Sequence, residues 1–252
     1  MIIVLLANGF EEIEALTPVD MLRRAGCNVK TVGVEGRVPT GSHDIPVLCD
    51  ATPEDINLDE VTMAIFPGGM PGSLNLDASQ YTNEVIKAAL KNGAHIAAIC
   101  AAPLVLGRRG LLNGKKATCF PGFEGELIGA EVIDADFVTD GSITTGKGME
   151  YSLPFAKELV RIAKEMEKRL KKVPSGYLND AQFLSAVEIA VDEGKISTAI
   201  LQRKLSIGYG KAAKFIDVME ELGFVGAFSG QKPRQVFLTS EEYEEIKKRA
   251  DQ

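Results

Sequence analysis

The sequence predicts an α/β domain, a three-layer α/β/α sandwich with a mostly parallel sheet, followed by a small C-terminal winged helix-turn-helix domain. Three observations carry this expectation. Short apolar runs alternate with helical stretches as far as residue 172, and the pattern breaks at Pro174-Ser175-Gly176. Beyond the break, three short helices and a hairpin follow in quick succession. Strand–helix–strand alternation implies a parallel sheet covered on both faces. Three helices with a hairpin in so short a segment read as a winged helix. The expected division is 1–172 for the first domain, 173–179 for a linker and 180–252 for the second.

The elements follow in order. Ile2–Ala7, Val29–Val34, Met63–Phe66 and Ile96–Ile99 are rich in Ile, Val and Ala and bounded by turn residues, as buried strands are. Glu11–Ala25 and Asn83–Asn92 carry helical periodicity, and Gly26 and Gly93 stand where helices stop. Lys116–Thr118 reads as a short strand. Tyr151–Lys172 reads as a long helix with apolar positions Leu153, Phe155, Ala156, Leu159 and Val160 that give way to a charged end. In the second domain Asp180–Glu193, Ser197–Leu205 and Tyr209–Leu222 read as helices, with Asp180 and Ser197 as N-caps. Phe224–Phe228 and Gln235–Leu238 read as a hairpin around a GQKPR turn, and Glu241–Arg249 as a solvated helix with i,i+4 charge pairs.

Composition narrows the function. The 252 residues are 45% hydrophobic and 25% charged, as in a globular chain, and no apolar run reaches the ~18 residues of a membrane span. The start turns acidic at Glu11 and lacks the basic region of a signal peptide. Four cysteines without a CxxC exclude a disulfide scaffold and argue against structural zinc, so a reducing cytoplasm is the expected location. The net charge of −7 excludes a chain that is basic throughout. Two histidines limit any scheme that needs imidazole.

Chemistry concentrates at three segments. The strand that ends at Ile99 delivers Cys100 into Ala101-Ala102-Pro103, where ligands gather in open α/β sheets. A helix starting there favours the thiolate, whereas the bland reading is a buried structural cysteine. Phe66-Pro67-Gly68-Gly69-Met70-Pro71-Gly72 offers backbone N–H groups for an oxyanion, or is only a tight turn. Asn8-Gly9-Phe10-Glu11-Glu12-Ile13-Glu14 holds three glutamates that suit a helix start, one of which could face Cys100.

With GKKATCFPGFE, these segments resemble the DJ-1/ThiJ/PfpI superfamily, closest to its DJ-1/YajL-like branch, over about residues 1–170. The resemblance implies a flavodoxin-like homodimer. It makes Cys100 the nucleophile and Glu14 the protonated acid that donates to the sulfur, with Gly69 and Ala101 as oxyanion donors. It implies cofactor-independent glyoxalase or deglycase chemistry on a small aldehyde or related electrophile, and no cofactor or metal. PfpI-type proteases carry histidine after the cysteine, where Ala101 stands here, so a Cys–His protease is not expected. Phe120 stands where some relatives have another histidine. His95 is expected to be structural or exposed, and His43 a surface residue. Cys27 and Cys49 read blandly, and Cys119 could lie near the pocket as a resolving thiol.

Residues 177–240, with Gln202-Arg203-Lys204-Leu205-Ser206-Ile207-Gly208-Tyr209-Gly210-Lys211-Ala212-Ala213-Lys214, resemble the FtsK γ domain. That implies a surface for double-stranded DNA built from Arg203, Lys204, Tyr209, Lys211, Lys214, Lys232 and Arg234. Acidic and basic residues are equal in number across the module, so its charges must segregate by face for DNA binding. No phosphate-loop motif is present, so a translocase motor is not implied. Two alternatives stand beside the enzyme: an oxidant- or electrophile-sensing DNA-binding regulator, and a dimeric scaffold whose winged helix grips a protein.

Overall fold

The computed structural model describes residues 1–171, 173–228, 230 and 233–250. They divide into two compact units, Met1–Ala89 with Ala94–Ala163, and Leu90–Gly93 with Lys164–Gln252.

The first unit is built on β1 (Ile2–Leu6), β2 (Val29–Gly33), β3 (Met63–Phe66) and β4 (His95–Ile99), which pair in parallel in the order β2-β1-β3-β4. A hairpin of β7 (Phe137–Asp140) and β8 (Ile143–Gly146) completes the sheet, with β8 parallel to β4 and β7 antiparallel at the edge. β5 (Lys116–Ala117) and β6 (Glu131–Val132) form a separate parallel pair. Side chains along a strand alternate between faces. Ile3, Leu5, Ala64, Phe66, Ile96 and Ala98 therefore enter one core, with α2 (Gly72–Ala78), α3 (Gln80–Asn92) and α4 (Pro103–Gly107). Ile2, Val4, Leu6, Met63, Ile65, Ala97 and Ile99 enter the other, with α1 (Glu12–Arg24) and the first half of α5 (Ser152–Lys171). The result is a flavodoxin-like α/β/α sandwich. Its parallel register brings the loops after β1, β3 and β4 to one edge.

The second unit holds α6 (Ser175–Leu178), α7 (Ala181–Glu193), β9 (Lys195–Ile196), α8 (Thr198–Leu205), α9 (Tyr209–Glu221), β10 (Arg234–Gln235) and α10 (Ser240–Ala250). The Asp180 carboxylate caps α7 by accepting from the N–H groups of Gln182 and Phe183, and the Ser197 hydroxyl caps α8 through Ile200 N. Phe183, Phe215, Leu201 and Met219 lie in its core.

Two details differ from the sequence expectation. β10 pairs antiparallel with the two-residue β9, which the sequence reading left unassigned, and the Phe224–Phe228 arm joins through a Val225–Val236 bridge. α10 is not merely solvated: Tyr243 and Ile246 are buried in the second core, and its charge pairs, Glu244–Lys247 and Glu245–Lys248, are three residues apart. Lys172 and Lys232 lie outside the described residues. Among the described residues no helix is long and apolar enough to cross a membrane.

Candidate functional site

Cys100 sits directly after β4 at φ 65°, in the left-handed region that a residue with a Cβ rarely adopts. Such a conformation costs about 1–3 kcal/mol and persists only where neighbours hold it. Here they do. Cys100 N donates to Gly146 O of β8 at 2.9 Å, and Phe120 N donates to Cys100 O at 2.9 Å. The chain then enters α4, with Pro103 at a first-turn position where its missing N–H costs nothing. α4 is only five residues long, so its dipole is small. The donors that reach the Cys100 sulfur are the backbone N–H groups of Gly69 and Ala101.

Glu14, in the first turn of α1, is fully buried. Its Oε2 accepts from Gly68 N at 2.9 Å, and its side chain is within hydrogen-bonding reach of Cys100. Gly68 is the contact point between the two. A methyl there would collide with Glu14 Oε2 and lie 2.5 Å from Cys100 Cβ. Glycine is therefore required by close approach rather than by backbone conformation.

Burial holds the Glu14 carboxyl up to about 7, with Glu11's charge adding to the rise, while Cys100 and Gly68 N oppose it through hydrogen bonds. Burial pushes the Cys100 thiol up to about 12; the charge and then the hydrogen bond of Glu14 add to this, and the N–H groups of Gly69 and Ala101 oppose it. The protonation of Cys100 therefore follows Glu14 and burial as well as the helix start. While Glu14 is ionised, the proton stays on sulfur. When Glu14 carries it, the repulsion vanishes and the carboxyl becomes a donor to the sulfur. Proton and charge are shared by the pair.

The two histidines lie elsewhere. His95, at the start of β4, is buried and bonded through Nε2 to Thr144 Oγ1 at 2.8 Å; burial pulls its pKa down to about 4. His43 is 67% exposed, yet it clamps its loop onto α1. Its N–H donates to Glu12 Oε1 at 2.8 Å, and Nδ1 meets Glu12 Oε2 at 2.7 Å. The sequence reading missed this clamp, because the partners are far apart in the chain. Glu11, Glu12 and His43 place three potential ligand atoms within 4.8 Å of one another, but the Glu12 carboxylate already serves the loop. Cys119 is buried in the core, and its thiol is pushed up to about 11 by burial and then by Glu124's charge, which leaves it poorly suited to a resolving role.

In the second unit, ion pairs hold three of the five described cations expected to face DNA. Lys204 pairs with Glu193 at 2.8 Å. Lys211 donates to Gln182 and lies 3.9 Å from Asp180. Arg234 is 12% exposed, pairs with Glu220 and stands 4.0 Å from Asp217. Arg203 and Lys214 are exposed and enter no ion pair among the described residues. Tyr209 is exposed at the start of α9. Lys232 lies outside the described residues.

Comparisons with known proteins agree with both units. Residues 1–162 match the DJ-1/PfpI family and residues 178–239 the Ftsk gamma domain. The chain is 33% identical over 181 residues to Protein dj-1beta of Drosophila melanogaster, covering 70% of this chain and 95% of that one. It is 31% identical over 166 residues to Deglycase PfpI of Pyrococcus furiosus, covering 65% and 99%. A solved DJ-1 superfamily protein from Salmonella typhimurium, in a cysteine-to-alanine mutant, superposes with a TM-score of 0.62 at 34% identity, covering 65% of this chain and 90% of that one.

Proposed function

Because the chain belongs to the DJ-1/PfpI family, we propose that Cys100 and Glu14 act together, without a cofactor, on small reactive aldehydes. The observation that carries this reading is the fully buried Glu14 carboxyl beside Cys100, with two backbone N–H groups on the sulfur. The deglycase name of the Pyrococcus relative supports aldehyde-derived chemistry.

For methylglyoxal the steps balance without an oxidant. The Glu14 carboxylate takes the Cys100 thiol proton as Sγ bonds to the aldehyde carbon, and passes it to the carbonyl oxygen. The Glu14 carboxylate then removes the hydrogen from that carbon and returns it to the neighbouring carbon, while the hydroxyl proton of the adduct passes to the former ketone oxygen, leaving a thioester. Water cleaves the thioester to lactate and frees the thiol. One carboxyl near neutral pKa suits both directions of proton transfer. The test is proton NMR of methylglyoxal with the full chain, without glutathione or added metal. Lactate accumulating in proportion to protein supports the reading; lactate at the protein-free rate overturns it. A homodimer is part of the proposal, supported by exposed Ile13 and Leu16 on α1 and Val38, Ile45 and Leu48 in the loop after β2.

The match to the Ftsk gamma domain supports a DNA-binding role for the second unit. The ion pairs of Lys204, Lys211 and Arg234 argue for modest affinity, with Arg203 and Lys214 as the leading phosphate contacts. Two phosphate contacts give a salt slope near ~2 in log Kd against log salt. Fluorescence anisotropy of a DNA duplex between low and physiological salt is expected to show that shallow slope, and the Arg203→Ala/Lys214→Ala double variant to lose most of it. Equal binding by the double variant would remove these two residues from the interface.

A further inference from the structure

The mouth of the Cys100 site is apolar, and this deepens the proposed aldehyde chemistry, on which it rests. Phe120 N donates to Cys100 O at 2.9 Å, which fixes the segment after β5 against the nucleophile. The Phe120 ring lies against Gly148, where a methyl would stand 3.1 Å from Cδ2. Glycine in the loop after β8 lets the ring lie close without crowding. Even so, the ring is 46% exposed, an uncompensated apolar face at the end of the sheet where the loops converge.

Two more apolar side chains leave the same loops. Met70 follows Gly69, whose N–H reaches the sulfur, and Met149 follows Gly148; each is 45% exposed. Methionine adapts its shape and packs favourably against aromatic rings. Around the sulfur the polar groups are two backbone N–H groups and one buried carboxyl. These serve the reacting carbonyl.

We propose that Phe120 makes this a site for α-oxoaldehydes bearing an aryl or similarly flat apolar group, taken in preference to methylglyoxal. With phenylglyoxal the thiol proton passes through Glu14 to the aldehyde oxygen as the aldehyde carbon bonds to Sγ. The carbon-bound hydrogen then moves through Glu14 to the carbon bearing the ring, the hydroxyl proton moves to the former ketone oxygen, and water releases mandelate. Atoms and electrons balance as for lactate. The aryl ring stacks on or against the edge of Phe120, the arrangements that aromatic pairs prefer.

Two measurements test this on the full chain. The first is the ratio of kcat/KM for phenylglyoxal over methylglyoxal. Wild type is expected to favour phenylglyoxal by about tenfold, as a ring-on-ring contact of ordinary strength gives. Phe120→Ala should bring the ratio to within about twofold of unity, and Phe120→Tyr, which keeps the ring, should retain it. The second is alkylation of Cys100 by 2-bromoacetophenone against bromoacetone, each normalised to a small free thiol and read by mass spectrometry. Here Sγ displaces bromide and no turnover is needed. An aryl excess in wild type and Phe120→Tyr that Phe120→Ala loses supports the inference. The same result with neither glyoxal turned over means that the enzymatic reading fails while the aryl site stands. An aryl excess no larger than that of the free thiol, or one that survives in Phe120→Ala, overturns the inference.

Discussion

Alanine at Cys100 is expected to abolish hydroxy-acid formation altogether, whereas Glu14→Gln is expected to separate thiol reactivity from turnover. Without the sulfur there is no adduct to rearrange, and neither histidine is placed to substitute: His95 is engaged with Thr144, and His43 with Glu12. Glutamine at position 14 is different. Its carbonyl oxygen can still accept from Gly68 N, and its amide can donate to the sulfur, as a protonated carboxyl does. It carries no charge to oppose the thiolate, so the repulsion that Glu14 exerts on Cys100 when ionised is absent. It cannot shuttle a proton. Turnover should therefore fall by about 10²–10⁴-fold, the usual contribution of a positioned acid–base group. Alkylation of Cys100 by iodoacetamide at neutral pH should stay within about tenfold of wild type, because one neutral donor replaces another. Mass spectrometry resolved at Cys100, beside the NMR assay, checks both halves. If alkylation disappears together with turnover, Glu14 acts by ionising the thiol. If turnover persists, another group moves the proton.

Much of the first unit was legible because its central strands are buried on both faces. β1, β3 and β4 are continuous apolar runs, which need no alternation to be read. The β7–β8 hairpin was not read. Its second strand buries Thr144 and Thr145, which look polar in sequence but are satisfied by His95 and Thr118. Asp140-Gly141 at its turn was the available signal. The candidate site was legible in outline, since an apolar strand ending in cysteine and a glycine turn after another strand are local features. What set its electrostatics was not local. Which of Glu11, Glu12 and Glu14 turns inward depends on Gly68, 54 residues from Glu14. The ion pairs on three of the cations expected to face DNA were hidden for the same reason. Lys211 and Arg234 look free in sequence, and their partners Asp180 and Glu220 are supplied by the folded module.

Glu14→Gln is also expected to stabilise the first unit at pH 8 while leaving it nearly unchanged at pH 4. The folded state raises the Glu14 carboxyl from 4.5 to about 7, with burial as the largest cause. Between those values the folded chain holds a proton that the unfolded chain has released, so stability falls as pH rises through this window. Integrated to pH 8, the shift costs on the order of 3 kcal/mol. Glutamine removes that cost, which corresponds to a gain of about 6–12 °C in the transition of a unit this size. His95 runs the other way. Its folded pKa is lowered from 6.5 to about 4, so its contribution is complete above 6.5 and is lost as pH falls through the folded value. In wild type the two slopes oppose each other between pH 4.5 and 6.5, and Cys100, neutral in both states there, adds none. In Glu14→Gln the His95 slope stands alone, so stability should climb with pH across the same range. Differential scanning calorimetry of both proteins at pH 4, 5.5 and 8 reads this directly. A gap between them that does not change with pH would mean that Glu14 is not held in its acid form by burial. A gap that opens towards pH 8 would show that the buried acid is a cost in stability, retained at the one position where it touches the nucleophile.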